Sequence, residues 1–200
     1  MIQAVIFDMY GVVMRDPTGG LAPYMEKLLP KNIYDELYVH WIAAANGEFG
    51  SHEFFRRIGF ADIPEAERAY LDTIEIDEGF VPAAEKLRTQ GKKLGLLSND
   101  LGEWSAWLRR KYDLDRLFDA VAVSGDEGVS KPDARIFRII AERLEVLPEQ
   151  CAYIDDRVRF LDAAAKFGMK TLLFDPSGAS AEVRAVKNFG ELMGRLEQEF

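Results

Sequence analysis

"AVIFDMYGVV", residues 4–13, runs four apolar residues straight into an aspartate. So short a run is too brief for a helix and reads as a strand buried on both faces. Asp8 ends it, and Gly11 follows three positions later. A glycine there lets the backbone turn tightly, so that its amides can face an anion.

Four more runs of the same kind follow: "KLGLL" (93–97), "AVAV" (120–123), "CAYI" (151–154) and "KTLLF" (170–174). Helical stretches separate them. "PAAEKLRTQG" (82–91) opens on proline and closes on glycine, as helices often do. "DARIFRIIAERLEV" (133–146) places Ile136, Ile139, Ile140 and Leu144 at helical spacing, and "RFLDAAAKFG" (159–168) closes on glycine. Strands alternating with helices predict an α/β fold, a Rossmann-like parallel sheet flanked by helices.

Ligands of such sheets sit at the carboxyl ends of the strands. Asp8 follows the first strand; Ser98, Asn99 and Asp100 the second; Ser124, Gly125 and Asp126 the third, with Lys131 a little later; Asp155 and Asp156 the fourth. Acids, a serine and a lysine therefore converge on one edge. Asp100 and Asp126 read as loop-capping residues, not ligands. Arg157 and Arg159 read as a solvated helix face.

The stretch 15–79 breaks the alternation. It is helix-rich and aromatic, and shows no comparable strand run. It reads as a small helical cap inserted after the first strand, with 1–14 and 80–200 forming the core domain. Ser51 before "HEF" reads as a helix N-cap. Tyr24, Tyr34, Tyr38, Trp41, Phe49 and Phe54 enrich this stretch; core packing is the first reading for them, a partner surface the second. His40 and His52 lack any supporting ligand pattern. Residues 180–200 predict one or two helices.

The 200 residues suffice for one domain with a real core. A net charge of −9 and the lack of a Lys/Arg-rich run speak against nucleic acid or an anionic membrane as partner. Cys151 has no second cysteine to pair with and reads as a small core residue. The first strand meets Asp8 too soon for a signal peptide, and no apolar run approaches the roughly 20 residues of a membrane span. A cytoplasmic protein is the expectation.

An aspartate at a strand end can attack phosphorus, giving an aspartyl-phosphate that water hydrolyses. Such chemistry needs positive charge around the phosphoryl group, from a divalent cation and a lysine. Mg²⁺ prefers a few carboxylates plus waters, a description that Asp8 meets together with Asp155 or Asp156. Lys131 would hold nucleophile and phosphate together, and Ser98 would donate to a phosphate oxygen.

These residues resemble the haloacid dehalogenase-like hydrolases, in the branch with a helical cap. The resemblance spans nearly the whole chain through four motifs in order. "VIFDMYGVV" carries Asp8 as nucleophile, "LLSND" carries Ser98, "SKPDARIF" carries Lys131, and "YIDDRVRFLDAA" carries the acidic pair. "NGEFGSHEFF" is similar to a segment of small sugar-phosphate phosphatases of this branch. The resemblance implies catalytic Asp8, Ser98 and Lys131, and phosphate binding by Gly11, Ser98, Asn99 and Lys131. It also implies Mg²⁺ on the Asp8 carboxylate, the Tyr10 backbone carbonyl and Asp156, with Asp155 acting through water. The implied partner is a small-molecule substrate, a phosphate monoester.

Tyr10 departs from the pattern. Phosphatases of the family carry a second aspartate there as general acid and base, and a phenol near pKa 10 is a poor base at neutral pH. A tyrosine at this position resembles the 2-haloacid dehalogenases, where departing halide needs no proton. The adjacent acids Asp155 and Asp156 point the other way, since packed carboxylates repel one another without a cation between them. A Mg²⁺-dependent phosphatase is the first expectation. The alternatives are a 2-haloacid dehalogenase and a weakly active or non-catalytic binding protein.

Overall fold

The computed structural model describes residues 1–26, 31–59, 63–182 and 184–199, with the side chains at 26, 31–35, 63 and 199 outside that description; Tyr34 falls among the latter. Strand β1 (Ala4–Phe7) leads into the Asp8 loop and then β2 (Met14–Arg15). Four helices follow: α1 (Leu21–Glu26), α2 (Lys31–Ala45), α3 (Ser51–Arg57) and α4 (Ile63–Thr73). Strand β3 (Glu75–Ile76) returns the chain by pairing antiparallel with β2. The remainder is α5 (Phe80–Thr89), β4 (Lys93–Ser98), α6 (Gly102–Lys111), β5 (Ala120–Val123), α7 (Ser124–Glu127), α8 (Ala134–Arg143), β6 (Cys151–Asp155), α9 (Val158–Lys166), β7 (Lys170–Phe174), β8 (Ala185–Val186) and α10 (Phe189–Glu199).

The main sheet has six strands, all parallel, in the order β5-β4-β1-β6-β7-β8. β1 lies between β4 and β6, so the loops after all three open on one edge beside Asp8. Alternation along β1 feeds two cores, because successive side chains of a strand face opposite ways. Val5 and Phe7 join the cluster containing Phe80 and Leu87 of α5, Trp104 of α6 and Phe189 of α10. Ala4 and Ile6 join the one containing Phe137 and Ile140 of α8 and Leu161 of α9. Burial on both faces is why each strand is uniformly apolar rather than alternating. Cys151 is buried in this sheet, and burial pushes its thiol up to about 11.

The helical insert packs onto the first cluster through Met25, Leu37, Phe54, Phe55 and Tyr70. Trp104 is the anchor. Its ring centroid lies 5.4 Å from Trp41, 5.9 Å from Phe55 and 5.3 Å from Tyr70, and its indole N–H donates to Glu67 Oε1 at 2.6 Å. Tyr24, Trp41 and Phe49 pack against the same cluster, while Tyr38 is exposed.

Two expectations need correction. The insert is bounded by a two-stranded ribbon, β2 with β3, where no strand is legible. The tail holds one helix, within the one or two expected, and adds a sixth sheet strand, β8. Each of these strands is only two residues long, too short for a periodic signal. Ser51 is the first residue of α3 and not its N-cap: Gly50 takes that position, with no side-chain cap. Among the described residues, no helix is long and apolar enough to cross a membrane.

Candidate active site

The site grows from the loop after β1. Asp8 N–H donates to Ile154 O at 2.9 Å, extending the β1–β6 ladder by one residue and fixing Asp8 beside the end of β6. Met9 N–H then donates to the Asp8 carboxylate at 2.7 Å. The chain turns within a few residues, Gly11 N–H reaching Met14 O at 2.8 Å and Met14 N–H reaching Met9 O at 2.7 Å. Gly11 has φ +83°, and a Cβ there would lie 2.6 Å from Asp156 Oδ2. Only glycine permits both that backbone and the approach of Asp156.

Lys131 closes the arrangement from the loop before α8. Its buried ammonium lies 2.8 Å from Asp8 Oδ1 and 3.0 Å from Asp155 Oδ2. It also donates to Tyr153 Oη at 2.9 Å and Leu97 O at 3.2 Å. Burial by itself would lower this lysine; the charges of Asp155 and Asp8 outweigh it and leave the ammonium above its usual range. Asp155 is fully engaged. Oδ2 accepts from Lys131 and from the Tyr153 hydroxyl, and Oδ1 accepts from Arg157 N–H at 2.8 Å.

One oxygen from each of Asp8, Asp155 and Asp156 falls within 4.8 Å of the others. Asp8 is pushed up to about 8, first by burial and then by the charges of Asp155 and Asp156, against the pull of Lys131. Asp156 is pushed up to about 6 by burial and by Asp155. Among the described residues, the cation beside Asp156 outside this group is Arg157, at 3.8 Å. Three clustered carboxylates, hard oxygen donors only partly offset by the Lys131 ammonium and Arg157, are a chemistry that suits a divalent cation such as Mg²⁺.

Ser98, at the end of β4, is fully buried, and its hydroxyl has no hydrogen-bond partner among the described residues. Buried polar groups are nearly always satisfied, so this hydroxyl stands out as a donor left unspent within the fold. Asn99 braces Lys131: Lys131 N–H donates to Asn99 Oδ1 at 2.8 Å, and Asn99 Nδ2 donates to Lys131 O at 3.0 Å. Asp100 accepts from Leu101 N–H at 2.8 Å and from the Tyr10 hydroxyl at 3.2 Å. Burial and then the Asp100 charge hold that phenol well above its usual range. Asp126 lies in α7.

A cleft of about 680 Å³ opens over Asp8 and Lys131. Arg157 and Arg159, expected on a solvated face, are exposed and also line it; His40 and His52 do not. Two contributors escaped the sequence reading. Tyr153 was legible in principle, since it stands two residues before Asp155 on one strand and shares its face. The Asp16–Tyr70 pair, 2.9 Å apart across 54 residues, leaves no local signal.

The model of the haloacid dehalogenase-like hydrolases matches residues 2–168. The chain belongs to that family and is a hydrolase of it. A glyceraldehyde 3-phosphate phosphatase from Methanopyrus kandleri is 29% identical over 86% of this chain and 83% of that protein. An (S)-2-haloacid dehalogenase from Burkholderia cepacia is 31% identical over 49% of this chain and 42% of that one. Mouse acyl-CoA dehydrogenase family member 10 is 28% identical over 94% of this chain, which spans only 19% of the mouse protein. Among solved structures, a family enzyme from Bacteroides thetaiotaomicron, in complex with magnesium and inorganic phosphate, superposes with a TM-score of 0.77. It is 19% identical and covers 91% of this chain and 98% of its own, a likeness of fold.

Proposed function

We propose that this hydrolase cleaves small phosphate monoesters with the help of Mg²⁺, and that 15–79 acts as a cap over a core of 1–14 and 80–200. The observation that carries the reading is the meeting of Asp8, Asp155 and Asp156, with the ammonium of Lys131 against the first two. The unpartnered Ser98 hydroxyl supports it, as a donor matched to a phosphate oxygen. So does the relative named a phosphatase.

In this reading an Asp8 oxygen attacks phosphorus and the ester P–O bond breaks. The leaving oxygen takes its proton from water, because the Tyr10 hydroxyl is committed to Asp100. Water then cleaves the aspartyl-phosphate, releasing phosphate and restoring Asp8. Lys131 holds Asp8 in place and faces the charge of the phosphoryl group, with Ser98 donating to one of its oxygens. Asp8, the Tyr10 carbonyl and Asp156 would hold Mg²⁺, while Asp155, whose oxygens are already taken, positions Lys131. When bound, Mg²⁺ supplies positive charge against the phosphoryl oxygens.

Mg²⁺ is expected to raise the melting temperature, since a ligand of the native state stabilises it by about 2.7 kcal/mol at a hundredfold excess over Kd. Asp156→Asn should remove that rise. An equal rise in the variant would exclude Asp156 from the site.

Tyr10 favours a second reading, a 2-haloacid dehalogenase. Release of halide from a 2-haloacid in EDTA, with no phosphate released from any ester in Mg²⁺, would replace the first reading with the second.

A further inference from the structure

We infer that the group carried by the phosphate is an apolar, ring-sized one and not a sugar; the inference rests on the phosphatase reading and specifies its substrate. The cleft has two unlike halves. The sheet edge supplies its charge, through Asp8, Lys131, Arg157 and Arg159. The insert supplies carbon: Leu21, Ala22, Leu37, Trp41, Ile42 and Ala45 line the opposite wall.

A sugar would need that wall to offer hydrogen bonds to its hydroxyls. Among the described residues, most polar groups there are engaged with one another. The Tyr70 hydroxyl donates to Asp16 at 2.9 Å, and Thr18 N–H donates to the same carboxylate at 2.8 Å. The Tyr10 hydroxyl is held by Asp100. Among the described residues of the wall, the Asn46 amide and the hydroxyl of exposed Tyr38 are the side-chain groups left to meet a ligand. Burying sugar hydroxyls against such a surface would leave them unpaired, which costs more than the contact returns.

The wall also keeps apolar surface in water. Ile42 is 43% exposed and Tyr38 62% exposed, both on α2 and both lining the cleft. Trp41 stands beside them, its ring packed 6.0 Å from Phe54 and 5.4 Å from Trp104. A rigid indole flanked by exposed aliphatic carbon is a surface that an aromatic or branched aliphatic group would cover.

The test uses phosphonates, which cannot be hydrolysed, so that leaving-group chemistry plays no part. Acetyl phosphate, which has almost no organic portion, serves as the substrate in Mg²⁺. 2-Phenylethylphosphonate and 2,3-dihydroxypropylphosphonate compete against it. The phenylethyl compound should inhibit at least about tenfold more tightly, the scale on which a matched apolar contact discriminates. Ile42→Asn, a change at a half-exposed position, should cut that ratio at least twofold, a comparison made within each variant. Equal inhibition by the two phosphonates, or a ratio untouched by Ile42→Asn, overturns the inference and leaves the phosphatase reading standing. Absence of turnover of both acetyl phosphate and 2-phenylethyl phosphate overturns both.

Discussion

Asp8→Asn is expected to lower turnover by about 10⁴-fold or more, the scale on which loss of a nucleophile acts, without unfolding the protein. The amide matches the carboxylate in size but cannot attack phosphorus. Stability should follow a different course. Asp8 is raised to about 8 in the folded chain against an ordinary value of 3.8, chiefly by burial. Between those values the native state binds more proton than the unfolded one, so metal-free stability falls as pH rises from about 4 to 8. The amide of the Asp8→Asn variant does not titrate, and the fall should flatten. Urea midpoints across that range, with phosphate release measured in parallel, check both halves. Turnover within tenfold of the parent would remove Asp8 as nucleophile.

Lys131→Met carries the largest expected loss of stability, about 3–5 kcal/mol by urea unfolding. The methionine nearly fills the space of the lysine, so the loss is electrostatic. It leaves Asp8 and Asp155 buried without the ammonium that lies 2.8 and 3.0 Å from them. Adding Asp8→Asn to the same chain should recover part of the loss, because one of the two stranded carboxyl groups is then gone. A loss below about 1 kcal/mol, or no recovery in the double variant, would show that the pair does not hold this corner of the fold.

The sheet and its edge were legible for a shared reason. Strands buried on both faces are plain apolar runs, and Asp8, Ser98 and Asp155 stand where those runs stop. Once the edge is known, so are the polar residues that meet there. What stayed hidden is of two kinds. β2, β3 and β8 are held by pairing to neighbours, not by any period of their own. Partnerships such as Tyr10 with Asp100, 90 residues apart, are made by the fold and have no local trace. Tyr10 shows the difference well. Its place two residues after Asp8 is visible in the sequence, whereas the engagement of its hydroxyl is visible only in space. Asn99 is similar: the resemblance makes it an expected phosphate ligand, and in space both ends of its amide clamp the backbone of Lys131.

The contact between Trp41 and Trp104 gives the molecule an optical consequence. The chain has three tryptophans, and two of them, one from the insert and one from α6, pack tilted against each other with centroids 5.4 Å apart and planes inclined by 35°. Trp41 also borders the cleft. Movement of the insert, or arrival of a ligand on its wall, alters the surroundings of these indoles together. Intrinsic fluorescence and near-ultraviolet circular dichroism therefore report on the mouth of the cleft without any attached label.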